Sequence, residues 1–151
     1  MERNEFIRSL GLGIALACTG SCLSSCGGGK SDDATPTPGG GGGLPAGTKV
    51  TIDLSSQILT VGAAQTVNGV LFVRLATGNQ LSSFTATQAI CPHQGGSLNW
   101  IAGSNLIQCN LHSSQYAANG TVLAQPQGGG ATSALKVYNM EITGNTLTAT
   151  V

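Results

Sequence analysis

The chain is 151 residues long, enough for one domain with appendages. Charge is scarce and balanced, with 6 Lys and Arg against 6 Asp and Glu, so no basic stripe can form and no nucleic-acid partner is expected. Only 2 histidines occur, His93 and His112, which excludes any chemistry needing a third imidazole.

From the N-terminus, Leu10–Cys18 (LGLGIALAC) is apolar and follows Arg3 and Arg8. It falls short of the ~20 apolar residues that a spanning helix needs. It suits the apolar segment of a secretory signal, so residues 1–25 are expected to be a signal peptide. Of the 5 cysteines, Cys18, Cys22 and Cys26 crowd this end, while Cys91 and Cys109 lie deep in the chain. Leu23-Ser24-Ser25-Cys26 resembles a bacterial lipobox, with an aliphatic residue three before the cysteine and two small ones between. That resemblance implies a lipidated Cys26 at the mature N-terminus and a membrane anchor in the bacterial cell envelope, facing periplasm or cell surface. Cys18 and Cys22 lack the aliphatic residue at that offset. Arg3-Asn4-Glu5-Phe6-Ile7-Arg8 resembles the twin-arginine export motif, except that Asn4 replaces the second arginine. Twin-arginine and general secretory export therefore both stay open.

Residues 26–47 are expected to be the lipidated cysteine and a flexible linker, because Gly27–Gly47 is Gly/Pro-rich and offers no apolar side to bury. As a coil it would span ~25 Å r.m.s.. Residues 48–151 then change texture to short strand-like runs divided by Gly and Asn. Lys49–Leu54 alternates apolar and polar, and Gly69–Leu75 (GVLFVRL) is a continuous apolar run. Thr77–Gln80 reads as a turn and Leu81–Gln88 as the hairpin partner of that run. Further strands are expected at Thr121–Leu123, Ala134–Ile142 and Thr146–Val151, with a turn at Gly144-Asn145. The fold class is all-β, a small antiparallel sandwich or barrel. The Gly- and Asn-rich middle, from Gly95 to Gly120, reads as loops held by something other than hydrophobic packing.

Two boxes carry the chemistry: Cys91-Pro92-His93-Gln94-Gly95-Gly96 and Cys109-Asn110-Leu111-His112-Ser113-Ser114-Gln115-Tyr116. Each holds a close Cys/His pair, and 15 residues separate His93 from Cys109. Two thiolates and two imidazoles from two loops make a four-ligand metal site at Cys91, His93, Cys109 and His112. On the residues alone, a Cys91–Cys109 disulfide and a zinc site on the same four ligands remain competing readings.

The boxes closely resemble those of the Rieske family, Cys-x-His followed by Cys-x-x-His. Gly95, Leu98-Asn99-Trp100, Asn119-Gly120, Pro126 and Lys136-Val137-Tyr138 match further features, so the resemblance extends from about Thr48 to Val151. It implies a Rieske-type β-sandwich with a cluster-binding subdomain of two loops. It also implies a [2Fe–2S] cluster, with Cys91 and Cys109 on one iron and His93 and His112 on the other. Ser114 and Tyr116 occupy positions whose hydroxyls, in high-potential relatives, bond a bridging sulfide and a cysteine sulfur. Family members that oxidise quinol brace the two loops with a disulfide, where this chain has Gly96 and Leu111. They carry an aliphatic residue where it has Gln94. Both departures count against direct quinol contact and place the chain nearer to Rieske ferredoxins and oxygenase cluster domains. An oxygenase's mononuclear iron has no histidines left to hold it. The expected role is a one-electron carrier, not an enzyme, working between respiratory or oxidase components with a membrane-bound or periplasmic redox protein as partner. The alternative is a lipoprotein with a structural or sensing metal site. Ala76–Leu135 contains no charged side chain, so docking at the box end cannot be steered by charge and would rely on the tether.

Overall fold

The computed structural model describes residues 44–151. The signal peptide over 1–25, the lipobox with Cys26, the export motif and the linker up to residue 43 lie outside the described residues. Among the described residues no helix is long and apolar enough to cross a membrane.

Ten strands form three antiparallel sheets: β1 (Lys49–Asp53), β2 (Ala64–Val67), β3 (Val70–Arg74), β4 (Phe84–Gln88), β5 (Leu98–Ile101), β6 (Leu106–Cys109), β7 (Gln115–Tyr116), β8 (Val122–Ala124), β9 (Asn139–Thr143) and β10 (Thr146–Thr150). The first sheet runs β1-β10-β9, the second β2-β3-β4 and the third β5-β6-β7-β8. The all-β expectation holds, and a 3-10 turn at Leu81–Ser83 is the one helical element among the described residues.

Strand β3 organises the domain. Its side chains alternate between two faces, as strand geometry requires, and all five of its residues are buried. Val70 and Phe72 enter one core with Val50, Ile52, Leu54, Ile58, Phe84, Ala86, Leu147 and Ala149. Leu71 and Val73 enter a second core with Ala89, Cys91, Leu98, Ile107, Cys109, Tyr116 and Leu135. A strand buried on both faces loses its polar alternation, which explains the unbroken apolar run. Arg74 ends this strand at 5% exposure, and among the described residues no carboxylate pairs with it. Its guanidinium is satisfied instead by Ile58 O (2.6 Å), Gly78 O (2.8 Å) and Asn79 Oδ1 (3.0 Å), and it stacks over Phe84 at 4.6 Å.

Several elements differ from expectation. The segment 95–120 is not a set of loops: β5, β6 and β7 run through it, and Leu98, Ile107 and Tyr116 pack there against Leu71 and Val73. Hydrophobic burial does hold that region, with large side chains each contributing roughly 1.5–3 kcal/mol. Strand β2 is additional, and it pairs with β3 across an Asn68-Gly69 turn. The strand expected over Ala134–Ile142 is confined to Asn139–Thr143, because Ala134–Tyr138 makes only isolated bonds, with Thr87 bridging Val137. The segment Leu81–Gln88 is strand only from Phe84. Leu44–Gly47 belongs with the domain: Leu44 packs on the first core, and Gly47 N–H donates to Val151 O.

Candidate metal centre

The first box follows β4 and folds back on itself. Cys91 N–H donates to Gly96 O at 2.7 Å, Gly95 N–H donates to Cys91 O at 3.0 Å, and Ile90 bridges Ser97 across the neck. Gly95 lies at φ 76°, a conformation that side chains disfavour. The second box leaves the end of β6. Cys109 N–H donates to Ser114 O at 2.9 Å, and Ser113 N–H donates to Cys109 O at 3.1 Å with Ser113 at φ 55°. Asn110 N–H donates to Ser97 O at 3.0 Å and ties the two boxes together. The second box packs closely against Gly96. A Cβ there would stand 2.7 Å from both Cys109 Sγ and Leu111 Cβ. The missing side chain is therefore what lets the second loop close.

This arrangement gathers all the side chains singled out in the two boxes. Cys91 and Cys109 are free thiols, each 2% exposed, so the disulfide reading is not realised. Cys109 is one of the groups that act on the Cys91 thiol, and both cysteines line the second core. The His93 and His112 rings meet edge to face, 4.9 Å between centroids at 72°. The thiols thus share one core, and the imidazoles meet each other. Among the described residues no three His, Cys, Asp or Glu side chains converge on a point suited to one ion.

Two buried atoms in the second box have no partner: His112 Nδ1 and Ser114 Oγ. Buried polar atoms are nearly always satisfied. A metal at the ring nitrogen and an anionic acceptor at the hydroxyl would satisfy both, so the donor set fits an iron–sulfur group. Trp100 Nε1 is also buried without a partner, and no acceptor among the described residues accounts for it.

Tyr116 is fully buried, with Oη 3.2 Å from Cys91 Sγ. Burial acts to raise the Cys91 thiol pKa, but hydrogen bonding, first from the Tyr116 hydroxyl and then from the His93 backbone, brings it below its ordinary value. Burial, followed by the bond to Cys91, pushes the Tyr116 phenol up to about 12.

A third loop, not assigned a role from sequence, closes over both boxes. Gln127 N–H donates to His112 O at 2.8 Å. Gly130 lies against His93, where a Cβ would stand 2.8 Å from Nε2. Thr132 Oγ1 is 2.7 Å from Tyr116 Oη, and Thr132 N–H donates to Gln125 Oε1 at 2.9 Å. Pro126 and the run Gly128–Gly130 were the only signals of this loop in the sequence.

Comparison with known proteins agrees with this chemistry. The iron-sulfur subunits of the cytochrome b6-f complex from Synechococcus sp. (strain JA-3-3Ab) and Synechococcus sp. (strain JA-2-3B'a(2-13)) are 53% and 50% identical to the chain over 38 residues. The match covers 25% of this chain and only 22% of each relative's length. Among solved structures, the ferredoxin of carbazole 1,9a-dioxygenase from Nocardioides aromaticivorans IC177 is similar at a TM-score of 0.50 and 22% identity, covering 68% of this chain and 97% of that one. At that identity the likeness is one of fold. The family model described as "Rieske [2Fe-2S] domain" matches residues 44–139. The chain therefore belongs to the Rieske family, and its cofactor is a [2Fe–2S] cluster.

Proposed function

We propose that the protein is a membrane-tethered one-electron carrier of the bacterial cell envelope, working between respiratory or oxidase components. Cys91 and Cys109 hold one iron, and His93 and His112 the other. The observation that carries the ligand assignment is the gathering of two free buried thiols and two imidazoles in edge-to-face contact, one of whose Nδ1 atoms is buried and partnerless. The bound cluster supplies a one-electron couple, which mixed His/Cys ligation places within ~−150 to +300 mV.

The chain's own residues prepare that couple. The bonds converging on Cys91 favour its thiolate, the form that ligates iron. Tyr116 remains a neutral donor at ordinary pH, because its phenol is held up at about 12. Its hydrogen bond strengthens when the sulfur becomes more negative, so it stabilises the reduced state. Ser114 Oγ has a proton to give and no acceptor among the described residues, and it would donate that proton to a sulfur of the bound cluster.

The surface at this end is uncharged. Pro92, Gln94, Asn110 and Leu111 are exposed beside the ligands. Encounter there depends on local concentration, not on charge steering, and a lipid on Cys26 with the Gly/Pro-rich segment that follows it in sequence would supply it. The partner is a membrane-bound or periplasmic redox protein. Gln94, and the unbraced pair Gly96 and Leu111, favour a protein partner over direct contact with quinol.

Fractionating cells that express the full chain tests the tether. Wild type and Cys22→Ser should remain with membranes, and Cys26→Ser should be released, with the same reversible one-electron voltammetric wave in all three. Release of Cys22→Ser, or retention of Cys26→Ser, would contradict the anchor. A wave absent from all three would contradict the carrier function.

A further inference from the structure

We infer that Thr132 is a positioning residue that keeps the phenolic proton of Tyr116 on the Cys91 sulfur. The inference rests on the ligand assignment proposed above and concerns how that site is tuned. Three atoms are linked in sequence: Thr132 Oγ1 lies 2.7 Å from Tyr116 Oη, which lies 3.2 Å from Cys91 Sγ. Either atom of each pair could donate on geometry alone. Ligation removes that freedom. A Cys91 thiolate has no proton, so it can only accept, and Tyr116 must donate to it. Tyr116 then has only lone pairs left for Thr132, so Thr132 must donate in turn.

The chain of bonds therefore runs from Thr132 through Tyr116 to the sulfur. A donor into a phenol polarises its O–H and strengthens the next bond by about 10–30%. It also blocks the competing arrangement, in which the phenol turns to give its proton to Thr132. Thr132 itself has little else to do with its hydroxyl, since Ser133 O is 3.5 Å away at the margin of bonding. The residue is held independently through its backbone N–H by Gln125 Oε1 at 2.9 Å, so the hydroxyl is presented from a fixed point. Thr132 and Tyr116 are 16 positions apart, Thr132 on the covering loop and Tyr116 in β7. The contact therefore couples the covering loop to the electronics of a ligand in the first box.

Voltammetry of the cluster-loaded full chain tests this. Thr132→Val should lower the potential, in the same direction as Tyr116→Phe and by a smaller amount, and Thr132→Ser should restore it. The iron–thiolate stretching bands in the vibrational spectrum should shift with the potential. In a Tyr116→Phe background, Thr132→Val should leave the potential unmoved. A rise in Thr132→Val would overturn the inference, because Thr132 would then be taking the phenolic proton. An undiminished shift in the Tyr116→Phe background would overturn it too, since Thr132 would not be acting through the phenol. If Tyr116→Phe alone moves neither potential nor bands, the failure lies with the bond to Cys91 and the ligand assignment, whatever Thr132 does. Should Thr132→Val lose its visible spectrum, the Thr132→Ser and Thr132→Asn proteins carry the comparison: Ser matching wild type supports the donor, and Ser shifted as far as Tyr116→Phe refutes it.

Discussion

Leu71 and Phe72 are neighbours on β3, yet they face differently built cores. Phe72 enters a sandwich of aliphatic side chains and Phe84, enclosed by paired strands. Lys49, Asp53 and Glu141 decorate that half on β1 and β9, and the Lys49–Glu141 ion pair is exposed on both sides. Leu71 enters a core that includes Cys91, Cys109 and Tyr116, beneath loops with no charged side chain. The first core is complete in hydrocarbon. The second ends in thiols and a phenol, beside the partnerless His112 Nδ1 and Ser114 Oγ that a metal group would satisfy. One strand thus serves both as structural wall and as floor of the redox site, which places the ligands on a surface the sandwich keeps rigid.

The largest expected effect separates the two halves directly. Cys91→Ser or Cys109→Ser should lose the cluster, and amides in β5–β8 should lose protection in hydrogen exchange while β1, β9 and β10 keep theirs. Phe72→Ala should instead lower protection everywhere, at a cost of ~3–5 kcal/mol in denaturant unfolding. Uniform loss of protection in the cysteine variants would mean that the halves are one cooperative unit.

Next in size is the loop contact. Gly96→Ala forces a methyl onto Cys109 Sγ and Leu111, so unfolding should cost ~1–3 kcal/mol and iron content should fall. Gly103→Ala meets nothing within 4 Å, and its melting temperature should stay close to wild type. Equal behaviour of the two glycines would show that the loops yield freely.

The tuning groups give smaller shifts. A bond worth ~1 kcal/mol more in the reduced state corresponds to ~40 mV. Ser114→Ala and Tyr116→Phe should each lower the potential by about that much without loss of iron. The phenol pKa is raised to about 12, so the neutral donor persists above the usual tyrosine range and is lost only as pH rises towards that value. The gap between wild type and Tyr116→Phe should therefore stay constant as pH rises from about 6 to about 10. A gap closing near pH 10 would contradict the buried donor. Smallest of all, Lys49→Ala removes an ion pair exposed by 62% and 58%, and the melting temperature should not change measurably.

Strands β1, β3 and β10 were legible because alternation or continuous apolarity marks them, and the two boxes because Cys and His are rare enough for spacing to carry meaning. Ser114 and Tyr116 followed from their offsets, and the structure sets Tyr116 Oη beside Cys91 Sγ. What escaped has physical reasons. Strand β2 (AQTV) buries no residue fully, so its pattern is faint. Strands β5 to β7 are two to four residues each, interleaved with Asn and Gln, and their burial comes from partners far along the chain. Thr132 is a single hydroxyl on an irregular loop, and no periodicity marks a contact between two hydroxyls.

The most direct test is pulsed EPR of the reduced full chain for nitrogen coupled to the paramagnetic centre. Cysteines on one iron and histidines on the other predict two directly coordinated imidazole nitrogens, with His93→Ala or His112→Ala losing the centre. A reduced cluster showing no coordinated nitrogen, or a diamagnetic zinc protein without labile sulfide, would contradict the ligand assignment of Cys91, His93, Cys109 and His112.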